Sequence, residues 1–390
     1  MILAVIIFTF AVIGVAVNKA SADPKEAGAS NRKIVVFDQT VLNNQAQEEL
    51  LAKFGAVKIK DLGLISGKAV ILPPTAEAAL KDQPGVLRID EDIIVEALAK
   101  PAPVQPEQTV PWGIARVGAD QVWATTDGDM VKVAVIDTGI DLTHPDLQDN
   151  IKGGYNAIYP TKSANDDNGH GTHVAGIIAA AQNGIGVAGM GPKIDLYAVK
   201  ALNRQGSGYL SDIIEGLDWS IANGIHVVNM SLGAKTNVQS FHDAVIRAYQ
   251  AGVVLVAAAG NDYGGPVNFP AAYPEVVAVS ATDSGDQVAA FSSVGPEVDL
   301  SAPGVGIFST YKGSSYKTLS GTSMATPHVA GAAALVMATP VGLSDLDADG
   351  VWDPSEVQNK LEATAQDLGS AGKDNLYGSG LVNVVGATAL

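Results

Sequence analysis

The pattern of apolar and polar positions divides the chain near residue 109. Before that point, short apolar runs alternate with amphipathic stretches. The runs KIVVF, AVKIKDL, GKAVILP and RIDEDIIVEAL predict strands, and NNQAQEELLAKFG and TAEAALKDQPGV predict helices. Their β-α-β-β-α-β order over residues 33–98 predicts a small ferredoxin-like α+β domain. The proline-rich residues 99–108 predict an extended, exposed linker.

After residue 109 the apolar runs become short and nearly continuous, which is typical of strands buried on both faces of a parallel sheet. These runs are KVAVID, IDLYAVK, HVVNMSL, VVLVAAAG and VVAVSAT. Amphipathic stretches at 170–183, 211–223 and 239–251 lie between them and predict helices. This alternation predicts a doubly wound α/β domain, in which functional groups gather beyond the carboxyl ends of the strands.

Composition narrows the possible functions. The 390 residues include 24 basic and 41 acidic side chains, a formal net charge of −17. This excess opposes binding to nucleic acid or to anionic membranes, because both need a basic surface. The chain has no cysteine, which excludes a disulfide framework, a zinc–thiolate site and a cysteine nucleophile.

The chain begins with an apolar segment. Residues 2–17 are almost wholly apolar but short for a membrane span, and Ala-Ser-Ala at 20–22 has the small-x-small pattern of a signal-peptidase site. We therefore expect residues 1–22 to be a signal peptide and the protein to be secreted. No basic residue precedes the apolar run, so retention as a membrane or cell-surface anchor is the alternative.

Three polar residues stand where the predicted topology gathers functional groups. Asp137 ends KVAVID, His170 begins an apolar helix in NGHGTHVAG, and Ser323 begins another in GTSMATPHVAG. Singly, each has a simpler interpretation: a turn residue, half of a His170–His173 zinc pair, and a helix N-cap. Together they make an alcohol nucleophilic, because serine needs a neighbouring base and that base needs an orienting carboxylate.

VAVIDTGID, NGHGTHVAG and GTSMATPHVAG, in that order, resemble the three signatures of the subtilisin-like serine proteases, and the resemblance extends from about residue 108 to the C-terminus. It implies that Asp137 orients His170, that His170 acts as base and then acid, and that Ser323 attacks the peptide carbonyl. It also implies that the side chain of Asn261, in AAAGN, binds the oxyanion. Without the resemblance, Asn261 is an ordinary turn residue at the end of a strand.

The resemblance further implies where an extended polypeptide substrate binds. Two segments pair with the substrate as added strands, and a third forms the S1 pocket. These positions are Gly206, Ser207 and Gly208, then Ser231, Leu232 and Gly233, then Ala258 and Gly260 of the S1 wall, and Asn268 at the S1 base. Many family members carry Gly or Ser at that base, so the preference for the P1 residue stays open.

Spacing alone predicts a calcium loop. DLDADGVWDPSE, residues 345–356, fits D-x-[DN]-x-[DN]-G-x5-E without a gap. Carboxylates in this register and one carbonyl bind calcium, with a glycine at the sharp turn. The predicted ligands are Asp345, Asp347, Asp349, the Val351 carbonyl, Asp353 and Glu356. A solvated acidic loop is the alternative.

The resemblance implies a second calcium site and a processing scheme. The site consists of Gln108, Asp146, Asn183 and the carbonyls of Ala181, Ile185 and Val187. Residues 23–98 are implied to be a propeptide that assists folding and inhibits the enzyme from its cleft. We expect self-cleavage between Leu98 and Ala99, which leaves residues 99–108 as linker and mature N-terminus before a catalytic domain of 109–390.

The sequence therefore predicts a secreted, calcium-stabilised serine endopeptidase that is made as a self-processing zymogen. We expect a monomer that acts on extended polypeptides through an acyl-enzyme. A catalytically idle, calcium-dependent binding protein is one alternative, and it needs a defective triad position, which this chain lacks. A zinc hydrolase using His170 and His173 is the other.

Overall fold

The fold is that of a computed structural model, which describes residues 31–97, 100–102 and 109–389. The predicted signal peptide lies outside these ranges, as do Leu98, Ala99 and Gln108. Within the described ranges, no helix has the length and apolar character needed to cross a membrane.

The first part of the chain folds into a four-stranded antiparallel sheet with two helices. Its elements are β1 (Arg32–Phe37), α1 (Asn44–Lys53), β2 (Val57–Leu62), β3 (Gly67–Ile71), α2 (Glu77–Lys81) and β4 (Val86–Glu91). The strand order β2-β3-β1-β4 is that of a ferredoxin-like domain. Val35, Phe37, Leu51 and Leu80 form its core. We call this unit, residues 31–91, the small domain.

The sequence predicts one last strand where the structure has two. After β4 the chain leaves the small domain, and β5 (Ile94–Ala97) joins a different sheet. Asp92 lies at the break, where its carboxylate accepts hydrogen bonds from the Ser211 N–H and hydroxyl, each 2.9 Å long. The continuous strand is therefore wrong, because Asp92 is bound to the start of a helix 119 residues further along the chain.

A seven-stranded sheet forms the centre of the second domain, and all its strand pairs are parallel. Its strands are β7 (Lys132–Asp137), β8 (Ile151–Asn156), β9 (Asp195–Lys200), β11 (Val227–Met230), β13 (Val254–Ala258), β14 (Val277–Thr282) and β15 (Leu300–Pro303). Their order across the sheet is β15-β14-β13-β11-β7-β9-β8. With helices on both faces, this confirms the predicted doubly wound α/β fold.

Helices cover both faces of this sheet. They are α3 (Trp112–Arg116), α4 (His170–Ala179), α5 (Leu210–Ala222), α6 (Gln239–Gln250), α7 (Thr322–Met337), α8 (Pro354–Thr364) and α9 (Val384–Ala387). Val133 and Val135 of β7 share a core with α4 and α7, whereas Ala134 and Ile136 share one with α5 and α6. The alternating residues of one strand thus fill both layers.

Two small sheets lie beside the main one. In the first, β5 lies between β10 (Ser207–Tyr209) and β12 (Leu232–Gly233) and is antiparallel to both. In the second, β6 (Lys100–Ala102) pairs with β17 (Ser315–Ser320), which forms a hairpin with β16 (Ile307–Tyr311). The first residues of the predicted linker are therefore extended but paired, not free.

Candidate active site

The fold brings three polar side chains to the carboxyl edge of the main sheet. Asp137 is the last residue of β7, His170 is the first residue of α4, and Ser323 lies in the first turn of α7. All three are buried, with exposed fractions of 0%, 4% and 0%. The N-termini of α4 and α7 lie at this edge, and the partial positive charge of a helix N-terminus favours negative charge there.

Asp137 and His170 form a tight pair. The imidazole Nδ1 lies 2.8 Å from each carboxylate oxygen of Asp137. Burial by itself lowers the pKa of His170, but the adjoining carboxylate outweighs burial, so the pKa is raised above its ordinary 6.5. The start of α4 lies close to the turn that follows β7. A Cβ added at Gly171 would lie only 2.2 Å from the carbonyl oxygen of Gly139. The pair therefore has a fixed geometry.

A second carboxylate, Asp166, holds the start of α4 in place. It accepts hydrogen bonds from the backbone N–H groups of Gly169 and Thr172, at 2.8 and 3.0 Å. It also accepts one from the hydroxyl of Thr138, the residue after Asp137, at 2.9 Å. Sequence analysis missed this residue. Its signal was available, since Asp166 lies four residues before His170 at a helix whose N-cap residue is Gly169, which has no side chain to cap it.

Ser323 is bound to the neighbouring strand. Its hydroxyl donates to the Ser231 carbonyl at 3.2 Å, and the Ser231 hydroxyl donates to the Ser323 carbonyl at 2.9 Å. Ser231 follows β11, which pairs directly with β7, the strand that carries Asp137. Nε2 of His170 has no hydrogen-bond partner among the described residues. The nucleophile and the base thus occupy one edge, but their hydrogen bond is not formed in this state.

Asn261 follows β13 and contacts the same helix start. Its side-chain carbonyl accepts from the backbone N–H of Thr322 at 3.0 Å and from the Thr322 hydroxyl at 3.1 Å. These bonds turn the amide nitrogen away from Thr322. Asn261 is therefore bound to Thr322, the residue before Ser323. This places its amide beside the proposed nucleophile, where an oxyanion-binding group must lie.

The predicted substrate segments flank a cleft in which the chain itself lies. Ser207 and Gly208 of β10 pair with Glu96 and Val95, and Leu232 of β12 pairs with Ala97. The cleft thus holds residues 94–97 in extended form.

Next to the cleft, Gly260 and Asn268 are in contact. A Cβ at Gly260 would lie 2.5 Å from the side-chain nitrogen of Asn268, which is 5% exposed. The structure thus brings the expected base residue of the pocket against its expected wall.

The acidic loop has the shape of a cation site. The carboxylates of Asp345, Asp347 and Asp349 offer oxygens that all lie within 4.8 Å of one another. Asp345 accepts from the backbone N–H groups of Asp349 and Gly350, at 3.2 and 3.0 Å, which folds the loop around its carboxylates. Gly350 has φ +79°, the left-handed conformation that the sharp turn needs.

The last two predicted side-chain ligands close the acidic loop. Asp353 is the N-cap of α8, and Glu356 accepts hydrogen bonds from the backbone N–H groups of Asp353 and Leu346. Burial, and then the nearby carboxylates of the loop, raise the pKa of Asp353 above its ordinary value. A hard cation bound by oxygen ligands relieves this repulsion.

A second cradle surrounds Asp146. One carboxylate oxygen accepts from the Val187 N–H at 3.0 Å and from the Tyr316 hydroxyl at 2.8 Å. The other oxygen is buried and has no hydrogen-bond partner among the described residues. A Cβ at Gly186 would lie 2.1 Å from the carboxylate, so the loop 181–187 follows Asp146 closely. The donors fit a hard cation, although Gln108 lies outside the described residues.

The zinc alternative finds no support in the imidazole contacts. Nδ1 of His170 is used by Asp137, whereas Nε2 of His173 donates to the carbonyls of Ile307 and Lys317, at 3.1 and 3.0 Å. Burial lowers the pKa of His173 to about 3, so this histidine is a neutral structural donor. Among the residues that the structure describes, the two histidines share no group of three converging metal ligands.

Comparisons with known proteins agree with this geometry. The profile of the subtilase family (peptidase S8) matches residues 128–380. The alkaline protease of Alkalihalobacillus alcalophilus is 42% identical over 377 residues, which are 96% of this chain and 90% of that protein. Subtilisin Savinase of Lederbergia lenta is 50% identical over 282 residues, 72% of this chain and 99% of its own length. Minor extracellular protease Epr of Bacillus subtilis is 40% identical over 388 residues, 96% of this chain and 56% of Epr.

Proposed function

This chain belongs to the subtilase family of serine proteases, and from that premise we propose that it is a secreted, calcium-stabilised endopeptidase made as a self-processing zymogen. The observation that carries the proposal is the buried Asp137–His170 pair at the sheet edge where Ser323 lies. Burial strengthens the electrostatic contact between carboxylate and imidazole, which is the part of the machinery that the protein must prepare in advance.

The reaction follows from the roles of these groups. Ser323 turns its hydroxyl from the Ser231 carbonyl to Nε2 of His170, which takes the proton while the oxygen attacks the peptide carbonyl. Asp137 stabilises the resulting imidazolium through Nδ1. The Asn261 amide and the Ser323 N–H hold the oxyanion. His170 then protonates the leaving amine, and the acyl group stays on the Ser323 oxygen. In the second half, His170 takes a proton from water, the water oxygen attacks the acyl carbonyl, and His170 returns the proton to Ser323 as the acid product leaves.

A serine-directed phosphonylating reagent tests this function. We expect stoichiometric labelling of Ser323 with complete loss of proteolysis, and no labelling of the Ser323→Ala chain. The cleavage products of an unstructured protein substrate, read by mass spectrometry, distinguish internal cleavage from trimming of the ends. Activity that survives in Ser323→Ala, or inhibition by chelators specific for zinc alone, would reject the serine mechanism.

The path of the chain supports self-processing between Leu98 and Ala99. Residues 94–97 pair with the two substrate segments, and residues 100–102 pair with β17, which ends three residues before Ser323. The two strands thus lie on either side of the Leu98–Ala99 bond, as the two halves of a bound substrate would. While they occupy the cleft, another polypeptide cannot bind there. The small domain is then the inhibitor, tied to the cleft through β5.

N-terminal sequencing of the mature protein tests this boundary. We expect a mature chain that starts at Ala99, and a Ser323→Ala chain that stays at full length. A mature N-terminus inside residues 109–130 would reject cleavage at this position.

The proposal includes two calcium sites that stabilise the folded chain. The first consists of Asp345, Asp347, Asp349, the Val351 carbonyl, Asp353 and Glu356, and the second is centred on Asp146. Calcium that binds only the folded chain, at a thousandfold excess over its dissociation constant, adds about 4 kcal/mol to the free energy of unfolding. The ion supplies charge neutralisation at both clusters, and no catalytic step depends on it.

A calcium chelator, together with one substitution and its matched control, tests the calcium site in the acidic loop 345–356. In the Ser323→Ala background, we expect Asp347→Asn to reduce the rise in melting temperature that calcium gives, whereas Asp120→Asn, at an exposed position outside both clusters, leaves it unchanged. Differential scanning calorimetry with calcium and with a chelator measures the difference. Equal melting temperatures in calcium and chelator for the parent chain would refute both sites.

The proposal includes secretion of the enzyme. It rests on the apolar residues 2–17 with their small-x-small boundary, and on the relative whose name calls it extracellular. Fractionation of a culture that expresses the full chain tests it. We expect the mature enzyme in the medium, and recovery only with the cell envelope would favour an anchor.

A further inference from the structure

A chain of hydrogen bonds in the core of the catalytic domain ends on the main chain of the proposed nucleophile. The side-chain amide of Asn229 donates to the Ser231 hydroxyl at 3.0 Å, and that hydroxyl donates to the Ser323 carbonyl at 2.9 Å. All three residues are fully buried. The proposed reaction uses the hydroxyl and the N–H of Ser323 and assigns no role to Asn229.

We propose that Asn229 is a positioning residue for peptide hydrolysis. It orients the Ser231 hydroxyl, which in turn holds the main chain of Ser323 where the Ser323 N–H binds the oxyanion. The inference rests on the proposed serine protease function, and it adds a residue that acts on the site without touching the substrate.

The Ser323 carbonyl lacks its regular helical donor, which is the first support. In an α-helix each carbonyl accepts from the N–H four residues further along the chain. The residue four positions after Ser323 is Pro327, inside α7, and proline has no N–H to donate. Buried carbonyl groups need a donor, so the Ser231 hydroxyl supplies a bond that the helix cannot make.

The direction of the hydrogen bonds is the second support. A hydroxyl has one hydrogen to donate, and a carbonyl oxygen only accepts. Because the Ser231 hydroxyl gives its hydrogen to Ser323, it must accept from Asn229, so the NH₂ group of Asn229 faces it. An apolar residue at position 229 removes the bond that sets the direction of this hydroxyl.

The surroundings of Asn229 are the third support. It lies on β11, where Val135 of β7 and Val256 of β13 are its neighbours in register. Its side-chain oxygen is buried and has no hydrogen-bond partner among the described residues. Such an atom destabilises a folded chain, whereas an apolar side chain of similar shape does not. Stability alone therefore favours an apolar residue at this position.

The bond from Ser231 matters most when Ser323 reacts. Two hydrogen bonds join these residues in the structure, one from each hydroxyl to the carbonyl of the other residue. The bond from the Ser323 hydroxyl is lost when that hydroxyl turns to His170. The bond from the Ser231 hydroxyl then remains, and it holds the residue that carries both the nucleophile and an oxyanion-binding N–H.

Two substitutions of different size test the proposal. Asn229→Leu keeps a branched side chain and Asn229→Ala shortens it, and both remove the amide. A peptide amide gives kcat and KM on mature enzymes obtained by processing of the full chain, and full chains in the Ser323→Ala background give melting temperatures. Ser301→Ala is the matched control, because the Ser301 hydroxyl is also buried without a partner among the described residues but lies on the edge strand β15.

We expect both substitutions at 229 to lower kcat about tenfold and to leave KM within about twofold, because a displaced N–H weakens binding of the oxyanion and not of the substrate. Asn229→Leu should melt no lower than the parent, because an unpartnered oxygen leaves the core. Asn229→Ala should melt lower, because it leaves a cavity. Ser301→Ala should keep kcat within about twofold of the parent value.

A positioning role and a packing role give different patterns across these variants. Positioning predicts the same loss of kcat for both substitutions and an unchanged midpoint of the pH profile, since the Asp137–His170 pair is untouched. A loss of kcat that follows the loss of melting temperature would overturn the proposal. So would an unchanged kcat in Asn229→Leu or, if that chain does not fold, in Asn229→Ala.

A double-mutant cycle tests whether Asn229 acts through Ser231. We expect Ser231→Ala to lower kcat at least as much as Asn229→Leu does, and the double variant to match Ser231→Ala within about twofold. Losses that multiply would show that Asn229 acts by another route and would reject the positioning chain. Asn229→Ala takes the place of Asn229→Leu in the cycle if the leucine variant does not fold.

Failure of this inference is distinguishable from failure of the proposed function. A parent enzyme that is labelled at Ser323 and hydrolyses protein, but whose kcat does not respond to substitution of Asn229, retains the function and loses the positioning residue. A parent enzyme that is neither labelled nor active loses both.

Discussion

At the scale of single residues, the protonation of His170 decides when the site works. The imidazole must be neutral to accept the proton of Ser323, and its pKa is raised above 6.5 by the Asp137 carboxylate. We therefore expect kcat/KM to rise with pH through a midpoint above 6.5. Initial rates with one peptide from about pH 5 to 10 measure this midpoint. A midpoint below 6.5 would show that Asp137 does not control the base.

Replacement of the carboxylate by an amide separates orientation from charge. We expect Asp137→Asn to lower kcat/KM by about 10⁴, because the amide favours the wrong imidazole tautomer. The remaining activity should have its midpoint at lower pH, since the negative charge that raised the His170 pKa is lost. An unchanged midpoint in the variant would contradict the electrostatic role of this carboxylate.

Asn261 should act on the transition state and not on substrate binding. We expect Asn261→Ala to lower kcat by about 10²–10³ with little change in KM, because the amide meets a charge that exists only on the oxyanion. Asn268→Ala is the matched control, since Asn268 lies beside Gly260 in the proposed S1 pocket and should change KM and the P1 preference instead. A melting curve checks whether loss of the bond to Thr322 unfolds the variant. A change in KM alone for Asn261→Ala would remove it from the oxyanion hole.

The predicted site residues differ from Asp92 in whether the apolar pattern marks their position. Asp137, His170 and Ser323 were identifiable because each stands at a strand or helix end that the apolar pattern reveals. Asp92 was not, because its partner Ser211 lies 119 residues away and in another domain. Local patterns locate the ends of elements, whereas contacts between distant elements depend on the assembled fold.

At the scale of elements, the approach of α4 to β16 leaves no room for a side chain at Gly176. A Cβ there would lie 2.1 Å from the Thr310 hydroxyl and 2.4 Å from the Ser309 hydroxyl. Alanine raises helix propensity by about 1 kcal/mol, but overpacking costs about 1–3 kcal/mol. The contacts are much shorter than a Cβ tolerates, so we expect the upper part of this cost and a net loss of up to about 2 kcal/mol in the free energy of unfolding for Gly176→Ala.

Urea unfolding in the Ser323→Ala background measures this loss without self-digestion. Gly285→Ala is the control, because its Cβ would make an ordinary 3.4 Å contact with Asp283 in an exposed loop. The control should change stability by no more than about 0.5 kcal/mol. A stabilised Gly176→Ala chain would mean that α4 can move away from the hairpin.

The two strands of the main sheet that sequence analysis missed share a physical feature. Strands β8 and β15 lie at the two edges of the sheet. Interior strands are buried on both faces and show continuous apolar runs, whereas β8 is IKGGYN with alternating exposure and β15 is the four-residue LSAP. The predicted topology was therefore complete at the centre of the sheet, where the catalytic residues lie, and incomplete only at its margins.

At the scale of the whole molecule, charged contacts hold the small domain against the catalytic domain. Arg88 pairs with Asp243 of α6, and Lys60 pairs with Asp212 and Glu215 of α5. Asp212 is 5% exposed in this arrangement. Its burial raises the pKa to about 6, although Lys60 acts in the opposite direction.

The sign of the pH effect follows from this shift. A carboxyl group whose pKa is raised by burial binds its proton more tightly in the closed arrangement than in the open one. The contribution of Asp212 to the contact between the domains is therefore largest below its ordinary pKa of 3.8 and is lost as the pH rises through about 6. Above that pH Asp212 is charged, and Lys60, with a smaller contribution from Arg32, compensates its buried charge.

Lys60→Met should therefore loosen the small domain at high pH and much less at low pH. In the full Ser323→Ala chain at pH 8, we expect the amides of β5 to exchange with deuterium at least about tenfold faster, because removal of one partner leaves a buried charge uncompensated. At about pH 5 the effect should shrink, because Asp212 is then protonated. Lys53→Met, at the exposed end of α1, controls for loss of a lysine, and protected amides of β7 control for global unfolding. Equal acceleration at both pH values would show that Lys60 does not act through the charge of Asp212.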